Sequence, residues 1–320
     1  MEMVVDNSAA DASSELDARA WLIAHKEAEK LSWPQIGKLA DVPPSTLSAF
    51  SSGKYAGDNT KVAARILAYR DRLTAQAEIA GEAPSSPSWY LTPTAKRITQ
   101  LLRWAQSGKI VLIVSGPGLG KTRTAEQFAQ GDPNVWLATM APSTAGVATM
   151  SIEISEAIGL GEVKGSPQQL SRAIKNRVRG KNGLIIIDEA QELTDKALNE
   201  LRGWHDRTGV GIALLGNETV VGQIDGRKSA LAQISSRFSM RHVQAAPMEG
   251  DLEALFEAWG ITDREQRGFL TKIGKLPGAL REVTNTIEIA LMAAFGLEQP
   301  LSIEHLKDAA RQRNSKVGAF

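Results

Sequence analysis

The sequence predicts an α/β chain with a central parallel sheet, an all-helical domain before the sheet and a small helical domain after it. Three observations predict this class. Short β-branched runs alternate with helical stretches between residues 110 and 216. Helical patterns fill the first 80 residues and return from about residue 247 to 312. A segment rich in Pro, Ser and Gly, residues 81–93, separates the first helical part from the rest.

Four apolar runs predict the strands of the sheet. Each is almost continuously apolar, as expected of parallel strands buried on both faces, and they lie at residues 110–115, 135–140, 184–188 and 210–216. A strand-like end between Arg241 and Pro247 marks the next break. The predicted organisation is a helical domain at 1–80, a linker at 81–93, a sheet domain at 94–246 and a helical domain at 247–320.

Composition excludes several classes of protein. The 320 residues contain no cysteine, which excludes a disulfide scaffold, a thiolate metal site and a cysteine nucleophile. No apolar run reaches the roughly 18–20 residues that span a bilayer. The start of the chain has neither the basic residues nor the apolar core of a signal peptide. We therefore expect a cytoplasmic chain with no membrane partner.

A glycine-rich loop follows the first predicted strand. Residues 114–122 read VSGPGLGKT and precede a helical stretch, so backbone N–H groups and the helix dipole would point at one phosphate-sized spot. Lys121 would reach the terminal phosphates, and the Thr122 hydroxyl would bind Mg²⁺. The common pattern has Gly at position 115, where this chain has Ser115. The predicted nucleotide-binding residues are Ser115, Gly116, Pro117, Gly118, Leu119, Gly120, Lys121, Thr122 and Arg123.

Two carboxylates end the strand LIIIDE about 67 residues after this loop. Asp188 is predicted to hold Mg²⁺, and Glu189 is predicted to orient the water that attacks the γ-phosphate. Asn217, after the strand ALLGN, would bind the water or the phosphate, or would be a simple turn residue. Arg237 would be an arginine finger that reaches a neighbouring subunit, or a surface arginine. Arg281 would close onto the phosphates, or would be a salt-bridge residue on a helix surface.

Residues 35–50 have the spacing of a helix-turn-helix. The predicted apolar face of the first helix is Ile36, Leu39 and Ala40, the turn is residues 41–43, and the second helix is anchored by Leu47 and Phe50. Short polar residues near the start of the second helix would reach phosphates or base edges. These are Ser45, Thr46 and Ser48, with Lys54 just beyond. The alternative is a helical packing domain without DNA contact.

A basic stretch at residues 164–181 contains six Lys or Arg residues and no acid. On a helix, Leu170, Ile174 and Val178 would form a packed stripe, with cations on the opposite face. The predicted phosphate contacts are Lys164, in the loop 161–166, and Arg172, Lys175 and Arg179. Because no aromatic residues interleave, we expect contact with the duplex backbone rather than stacking on bases. The alternative is a solvated helix face.

In this order, the motifs resemble the AAA+ family of ATPases, and over about residues 30–312 the chain resembles the phage Mu B transposition protein family. The resemblance is carried by KYAGDN (54–59), NVWLAT (134–139), LSRAI (170–174), LIIIDEA (184–190), SSRFSMR (235–241) and PGALR (277–281). Two positions depart from what the resemblance implies: Ser115, where the common loop pattern has Gly, and Asp41, where the family usually has Gly. Asp tolerates a left-handed backbone better than most residues, so we expect the turn at Asp41 to survive.

This resemblance implies an ATPase that uses ATP and Mg²⁺. It also implies assembly of copies of the chain into helical filaments around double-stranded DNA. The captured DNA would be delivered to the transposase of the same element, in the bacterial host's cytoplasm if a phage encodes the chain. Two other readings stay open, namely a helicase-loader-type ATPase and a helix-turn-helix regulator that uses nucleotide as a signal.

Overall fold

The computed structural model describes residues 7–82, 86–161, 164–225 and 232–313. The chain divides into two compact units, residues 1–85 and residues 86–320.

The smaller unit is a cluster of four helices. These are α1 (Asn7–Ala28), α2 (Trp33–Ala40), α3 (Pro44–Ser51) and α4 (Asn59–Glu82). Their apolar core includes Leu22, Ile36, Phe50 and Ile66, each with no exposed surface. Because α4 extends to Glu82, the helix continues past the predicted start of the linker at residue 81, and residues 83–85 of that linker lie outside the described ranges.

The connection between α2 and α3 is a tight turn at the predicted place. Asp41 ends α2 with a left-handed backbone (φ 53°, ψ 47°), as expected for an Asp in this position. The prediction that Leu39 belongs to the apolar face is wrong, because its side chain is 48% exposed. Ile36 and Ala40 are four residues apart and share the buried stripe, whereas Leu39 lies on its flank.

The larger unit contains a five-stranded parallel sheet, which confirms the predicted α/β class. Its strands are β1 (Ile110–Ser115), β2 (Val135–Thr139), β3 (Leu184–Asp188), β4 (Gly211–Gly216) and β5 (Phe238–Gln244). The strand order is β2-β3-β4-β1-β5. β1, β3 and β4 are completely buried, which is why their sequences are apolar without alternation.

Helices cover both faces of this sheet. The elements that follow the smaller unit are α5 (Pro93–Gln106), α6 (Lys121–Gln130), α7 (Val147–Ala157), α8 (Pro167–Val178), α9 (Asp195–Thr208), α10 (Glu218–Asp225) and α11 (Ala232–Ser235). α5 and α6 pack on one face around Ile98 and Ile113. α7, α8 and α9 pack on the other around Ile154, Ile174 and Trp204. In the described ranges, no helix combines the length and apolarity needed to cross a membrane.

β5 is an edge strand that the sequence pattern only partly predicts. We expected a strand-like end after Arg241, and the structure instead contains a whole strand from Phe238 to Gln244. It pairs with β1 alone, with a register shift at Ile110 and Val111. Because all seven of its residues are exposed or half-buried, this strand lacks the continuous apolar run by which the other four were found.

Within the described residues, the helices that follow the sheet are α12 (Asp251–Ala258), α13 (Arg264–Gly274), α14 (Ala279–Gly296) and α15 (Ile303–Arg313). They share an apolar core that includes Leu255, Leu270 and Ile287. A buried polar cluster joins them to the sheet. Asp251, with no exposed surface, accepts hydrogen bonds from the backbone N–H of Thr94 (2.8 Å) and from its hydroxyl (2.5 Å). The Thr94 hydroxyl also accepts from Gln244 at the end of β5 (2.7 Å), so the start of α12 is held against α5 and the sheet.

Candidate nucleotide-binding site and nucleic-acid interface

The carboxyl ends of β1, β3 and β4 meet at one edge of the sheet, as they must in a parallel sheet. A cavity of about 700 Å³ lies at this edge. The loop after β1, Glu189 after β3 and Asn217 after β4 all line it, and Arg281 of α14 borders it from the helical side. The structure therefore brings together most of the residues predicted to act on a nucleotide.

The loop between β1 and α6 has the backbone that its glycines predict. Gly118 (φ 77°) and Gly120 (φ 84°) are left-handed, a conformation that glycine adopts without steric cost. α6 begins at Lys121, so the first N–H groups of this helix are directed to the cavity. Ser115 ends β1 in register with Gln244 and is 1% exposed. Since Ser115 is not left-handed, a side chain fits where the common pattern has glycine.

Lys121 is held inside the loop. Its ammonium group donates to the carbonyl oxygen of Ser115 at 2.9 Å. Burial lowers the pKa of Lys121, and the carboxylates of Asp188 and Glu189 oppose that effect. A bound polyphosphate would stabilise the charged amine in the same way as these carboxylates, so the environment of Lys121 suits an anion.

Thr122 and Asp188, the two residues predicted to hold Mg²⁺, are in direct contact. The Thr122 hydroxyl donates to the Asp188 carboxylate at 2.6 Å, and the Asp188 side chain has no exposed surface. Burial raises the pKa of Asp188, while hydrogen bonds from Thr122 and from the Glu189 backbone N–H (3.0 Å) oppose this. A buried carboxylate beside a hydroxyl offers hard oxygen ligands to a cation that would restore the ionised form, so these two residues fit Mg²⁺.

Glu189 is held by a residue that the sequence analysis did not identify. Glu189 has a left-handed backbone (φ 54°), and its carboxylate accepts a short hydrogen bond from the Gln191 side-chain amide. The amide oxygen of Gln191 in turn accepts from the backbone N–H of Asn217 at 3.3 Å. Gln191 thus connects the ends of β3 and β4. No sequence motif identifies Gln191. Its position two residues after Glu189 was the one feature of the sequence that indicated a role near the site.

Asn217 has one defined structural role. Its side-chain oxygen accepts from the backbone N–H of Thr219 at 2.9 Å, at the start of α10. This bond fixes the side chain at the cavity wall. Its hydrogen bond is that of a turn residue, and its position at the cavity is compatible with the predicted contact to water or phosphate.

The start of α14 packs directly on the glycine loop. A Cβ atom added to Gly118 would lie 1.8 Å from the carbonyl oxygen of Gly278 and 3.0 Å from the Cβ of Arg281. Only glycine at position 118 allows this approach. Arg281, in the first turn of α14, is therefore positioned beside the loop, and its predicted contact with the phosphates stays a prediction.

One wall of the cavity comes from a segment that the sequence analysis treated only as a linker. Residues Pro87, Ser88, Trp89 and Tyr90 line the cavity. Arg123 donates to the carbonyl oxygen of Ser88 at 3.1 Å, which ties this segment to α6. Burial raises the pKa of Tyr90, and a hydrogen bond with Thr284 of α14 opposes the change. The rings of Trp89 and Tyr90 thus provide an apolar part of the cavity that the glycine loop also lines.

Arg237 lies away from the cavity of its own chain. It immediately precedes β5, whose first residue pairs with Ile110 at the opposite end of β1 from the glycine loop. Its side chain is 53% exposed and forms an ion pair with Asp206 of α9 at 3.4 Å. The structure thus does not bring Arg237 together with Lys121 and Glu189.

The predicted DNA contacts are largely accessible. Lys164 and Arg172 are exposed and Lys175 is half-buried, while Leu170, Ile174 and Val178 form the buried stripe of α8. Residues 162 and 163 of the loop around Lys164 lie outside the described ranges. Arg179 departs from the prediction, because α8 ends at Val178 and Arg179 has an extended backbone (φ −60°, ψ 130°) that takes it off the helix face.

In the smaller unit, the predicted contacts lie around α3. Ser45, Ser48 and Lys54 are exposed, and Thr46 is half-buried. α3 begins at Pro44 after Pro43, with no side chain capping its first N–H groups.

Comparisons with known proteins agree with this geometry. Residues 103–223 match a family model described as an AAA domain, and residues 236–312 match one described as the Mu B transposition protein, C terminal. The ATP-dependent target DNA activator B of Escherichia phage Mu is 32% identical over 304 residues, which cover 94% of this chain and 96% of the relative. The Mu-like prophage FluMu DNA transposition protein B of Haemophilus influenzae is 31% identical over 267 residues, 82% of this chain and 92% of the relative.

Solved structures support the fold. The ORC2 protein of Aeropyrum pernix, solved with ADPNP and ADP, superposes with a TM-score of 0.54 at 16% identity, and the match covers 71% of this chain and 70% of that one. At this sequence identity the structural similarity shows the fold alone. The sheet order and the glycine loop indicate the same AAA+ fold. The extent and identity of the sequence matches show that the chain belongs to the Mu B transposition protein family and is an AAA+ ATPase.

Proposed function

We propose that this ATPase assembles on double-stranded DNA in its ATP-bound state, binds the duplex through its backbone, and delivers that DNA to the transposase of the same element. The observation that carries the proposal is that one compact unit holds both a nucleotide site and an exposed cationic surface on α8. The phage Mu relative is named an ATP-dependent target DNA activator, which supports the same role here.

In the proposed reaction, Lys121 and the N-terminal N–H groups of α6 bind the β- and γ-phosphates of ATP. Thr122 and Asp188 hold Mg²⁺, which neutralises phosphate charge when bound. Glu189 orients the attacking water and accepts its proton. Positioning and electrostatic stabilisation account for most of the rate in such a transfer.

Three further groups complete the proposed site. Gln191 fixes the carboxylate of Glu189 and so positions it against the water. Asn217 and Arg281, which both line the cavity, stabilise charge on the transferred phosphoryl group. Because α14 packs on the loop at Gly118, a change in the bound phosphates would act directly on the helices that follow the sheet.

Arg237 is proposed to act in trans. It is exposed and far from its own nucleotide cavity, which suits a residue that completes the site of a neighbouring subunit. A mixture of Arg237→Ala and Lys121→Ala proteins would then regain part of the ATPase activity. At some interfaces, Lys121 of an Arg237→Ala subunit would meet Arg237 of a Lys121→Ala subunit. If the mixture stays inactive although each variant assembles with wild-type protein, the trans role is wrong.

DNA binding is proposed to be electrostatic and independent of sequence. Lys164, Arg172, Lys175 and Arg179 would contact phosphates, with Ser45, Thr46, Ser48 and Lys54 of the smaller unit as additional contacts. One subunit offers few charges, so it alone would bind weakly at physiological salt. ATP-dependent assembly would link many such surfaces along one duplex, and linked sites gain avidity without new contacts.

Electron microscopy on random-sequence duplex, with and without ATP, tests this function directly. We expect protein-coated DNA with ATP and bare DNA without it, on any sequence. Protection of a single sequence at low protein concentration would instead indicate a regulator. Binding to a helicase without coating of duplex DNA would indicate a helicase loader. Addition of the element's transposase to coated DNA should raise strand transfer into that DNA.

A further inference from the structure

A second concavity, of about 370 Å³, lies between α8 and α9 on the face of the sheet opposite α5. None of its lining residues lines the nucleotide cavity. Three cationic side chains converge on it: Arg172 and Lys175 from α8, and Arg207 from the last turn of α9. Arg207 was not among the residues that the sequence predicted, because it is separated from the basic stretch by β3 and most of α9.

The floor of this concavity is a fixed polar cluster. The Ser171 hydroxyl donates to the Glu200 carboxylate at 2.6 Å, and the Trp204 indole N–H lies 2.9 Å from both of them. Trp204 has no exposed surface, and Ser171 is 5% exposed. These bonds hold Glu200 and the two helices in one arrangement, so the three cations project from a rigid frame.

The charges around the concavity do not balance. Three cations face one carboxylate, and in the described part of the chain none of the three makes an ion pair within 4.0 Å of a carboxylate oxygen. Cations placed together in this way repel one another unless an anion lies between them. Two guanidinium groups and one ammonium group supply planar forks and a point charge, the groups that bind phosphate oxygens best in proteins.

We propose that this concavity binds one backbone phosphate of duplex DNA, with Arg207 as a contact that joins Arg172 and Lys175. The inference rests on the proposed function, in which the ATP-bound protein coats DNA through its backbone. It adds that part of the contact is a built pocket spanning two helices rather than a single helix face. The negative charge of Glu200 repels a phosphate and so limits the affinity of this pocket. Its hydrogen bonds with Ser171 and Trp204 nevertheless fix the two helices that carry the cations.

DNA affinity measured against salt concentration tests the pocket, using the full chain with ATP and two unrelated duplexes. Arg207→Ala should weaken binding roughly 3- to 10-fold on both sequences and make the log–log salt slope shallower by about 0.9, the loss of one phosphate contact. Arg207→Lys should show the wild-type salt slope but an affinity between those of Arg207→Ala and the wild type. Lysine keeps the positive charge but lacks the planar guanidinium group that donates two parallel hydrogen bonds. Glu200→Gln, which can keep the bonds to Ser171 and Trp204, should tighten binding.

Arg97→Ala is the matched control, because Arg97 is an exposed arginine of α5 on the other face of the sheet. It should change neither affinity nor slope. Wild-type affinity and slope in Arg207→Ala, while wild-type protein coats DNA with ATP, would overturn the pocket and leave the proposed function intact. If Arg207→Ala weakens binding of poly-L-glutamate but not of DNA, the phosphate pocket is likewise overturned and the proposed function stays intact. The concavity would then bind an acidic protein segment. A wild-type protein that coats no duplex with ATP would overturn both.

Discussion

The nucleotide cavity and the basic surface of α8 are built in opposite ways. In the cavity, Lys121, Asp188 and Glu189 each have a defined partner within the chain, and Asp188 is completely buried. On α8, Arg172 is exposed, and the nearby Lys164 is exposed as well. Phosphoryl transfer needs groups fixed to within fractions of an ångström, whereas attraction to a phosphate backbone needs only charge at the right surface.

This difference implies two kinds of sensitivity to mutation. A change at the cavity removes a group that no neighbour can replace, so its effect on turnover is large. A change on the basic surface would remove one of several similar proposed DNA contacts, so we expect a partial loss of DNA affinity that depends on salt.

The largest effects belong to Glu189 and Lys121. Glu189→Gln should bind ATP normally but hydrolyse it about 10²- to 10⁴-fold more slowly, because the amide cannot accept a proton from water. Lys121→Ala should weaken ATP binding by at least about tenfold, since charge-assisted bonds to the phosphates are lost. ATP affinity by calorimetry and single-turnover hydrolysis would separate the two effects.

Lys96→Ala is the control for these variants, because Lys96 is an exposed lysine of α5 that does not line the cavity. It should leave both quantities unchanged. Normal turnover in Glu189→Gln would remove Glu189 from the catalytic role.

Gly118→Ala and Gly120→Ala form a matched pair within one loop. Both residues are left-handed, so an alanine at either costs roughly 1–2 kcal/mol in backbone strain. At Gly118 the new Cβ also meets the Gly278 carbonyl, whereas at Gly120 it meets nothing within 4 Å. Gly118→Ala should therefore lower the Tm of the nucleotide-free protein clearly more than Gly120→Ala. Equal Tm values would show that α14 does not pack on the loop in solution.

Asp188→Asn should raise the Tm of the nucleotide-free protein by a few degrees near neutral pH while it removes Mg²⁺-dependent hydrolysis. Burial raises the pKa of Asp188, so above that pKa its ionised form destabilises the folded state. The advantage of the variant should shrink as pH falls through the raised pKa, because Asp188 then becomes neutral in the wild type too. Thermal unfolding of both proteins across pH measures this. A variant less stable than wild type at every pH would contradict it.

The smallest effect is expected at Lys164. Lys164→Ala should reduce DNA affinity about 2- to 5-fold on every duplex and flatten the salt dependence by about 0.9 in slope, with ATP binding unchanged. Competition binding on two unrelated duplexes at several salt concentrations measures both quantities. A loss confined to one sequence would mean that Lys164 reads bases.

The parts of the fold that the sequence predicts well are those governed by one strong local rule. β1, β3 and β4 are buried on both faces, which requires apolar residues at every position. β5 lies at the sheet edge with exposed side chains, so that rule does not apply to it. Leu39 was wrongly predicted to be buried for a related reason. Helix periodicity predicts which side of α2 is buried but not how wide the buried stripe is.

The same distinction holds at the site. The sequence alone placed Thr122 near Asp188. Thr122 follows the loop after β1, Asp188 is the last residue of β3, and the carboxyl ends of parallel strands lie at the same edge of a sheet. Gln191, Trp89 and Arg207 could not be found in this way. Each contributes through a contact between elements distant in sequence, and that contact depends on the packed structure rather than on a local pattern.

The proposed function requires that ATP binding, through assembly of subunits, turns a weak basic surface into a tight DNA-binding one. The DNA affinity of Glu189→Gln protein with and without ATP, on two unrelated duplexes at physiological salt, tests this requirement. We expect tight, long-lived complexes with ATP on both duplexes and weak binding without it, because hydrolysis can no longer release the subunits. Equal affinity with and without ATP would contradict it.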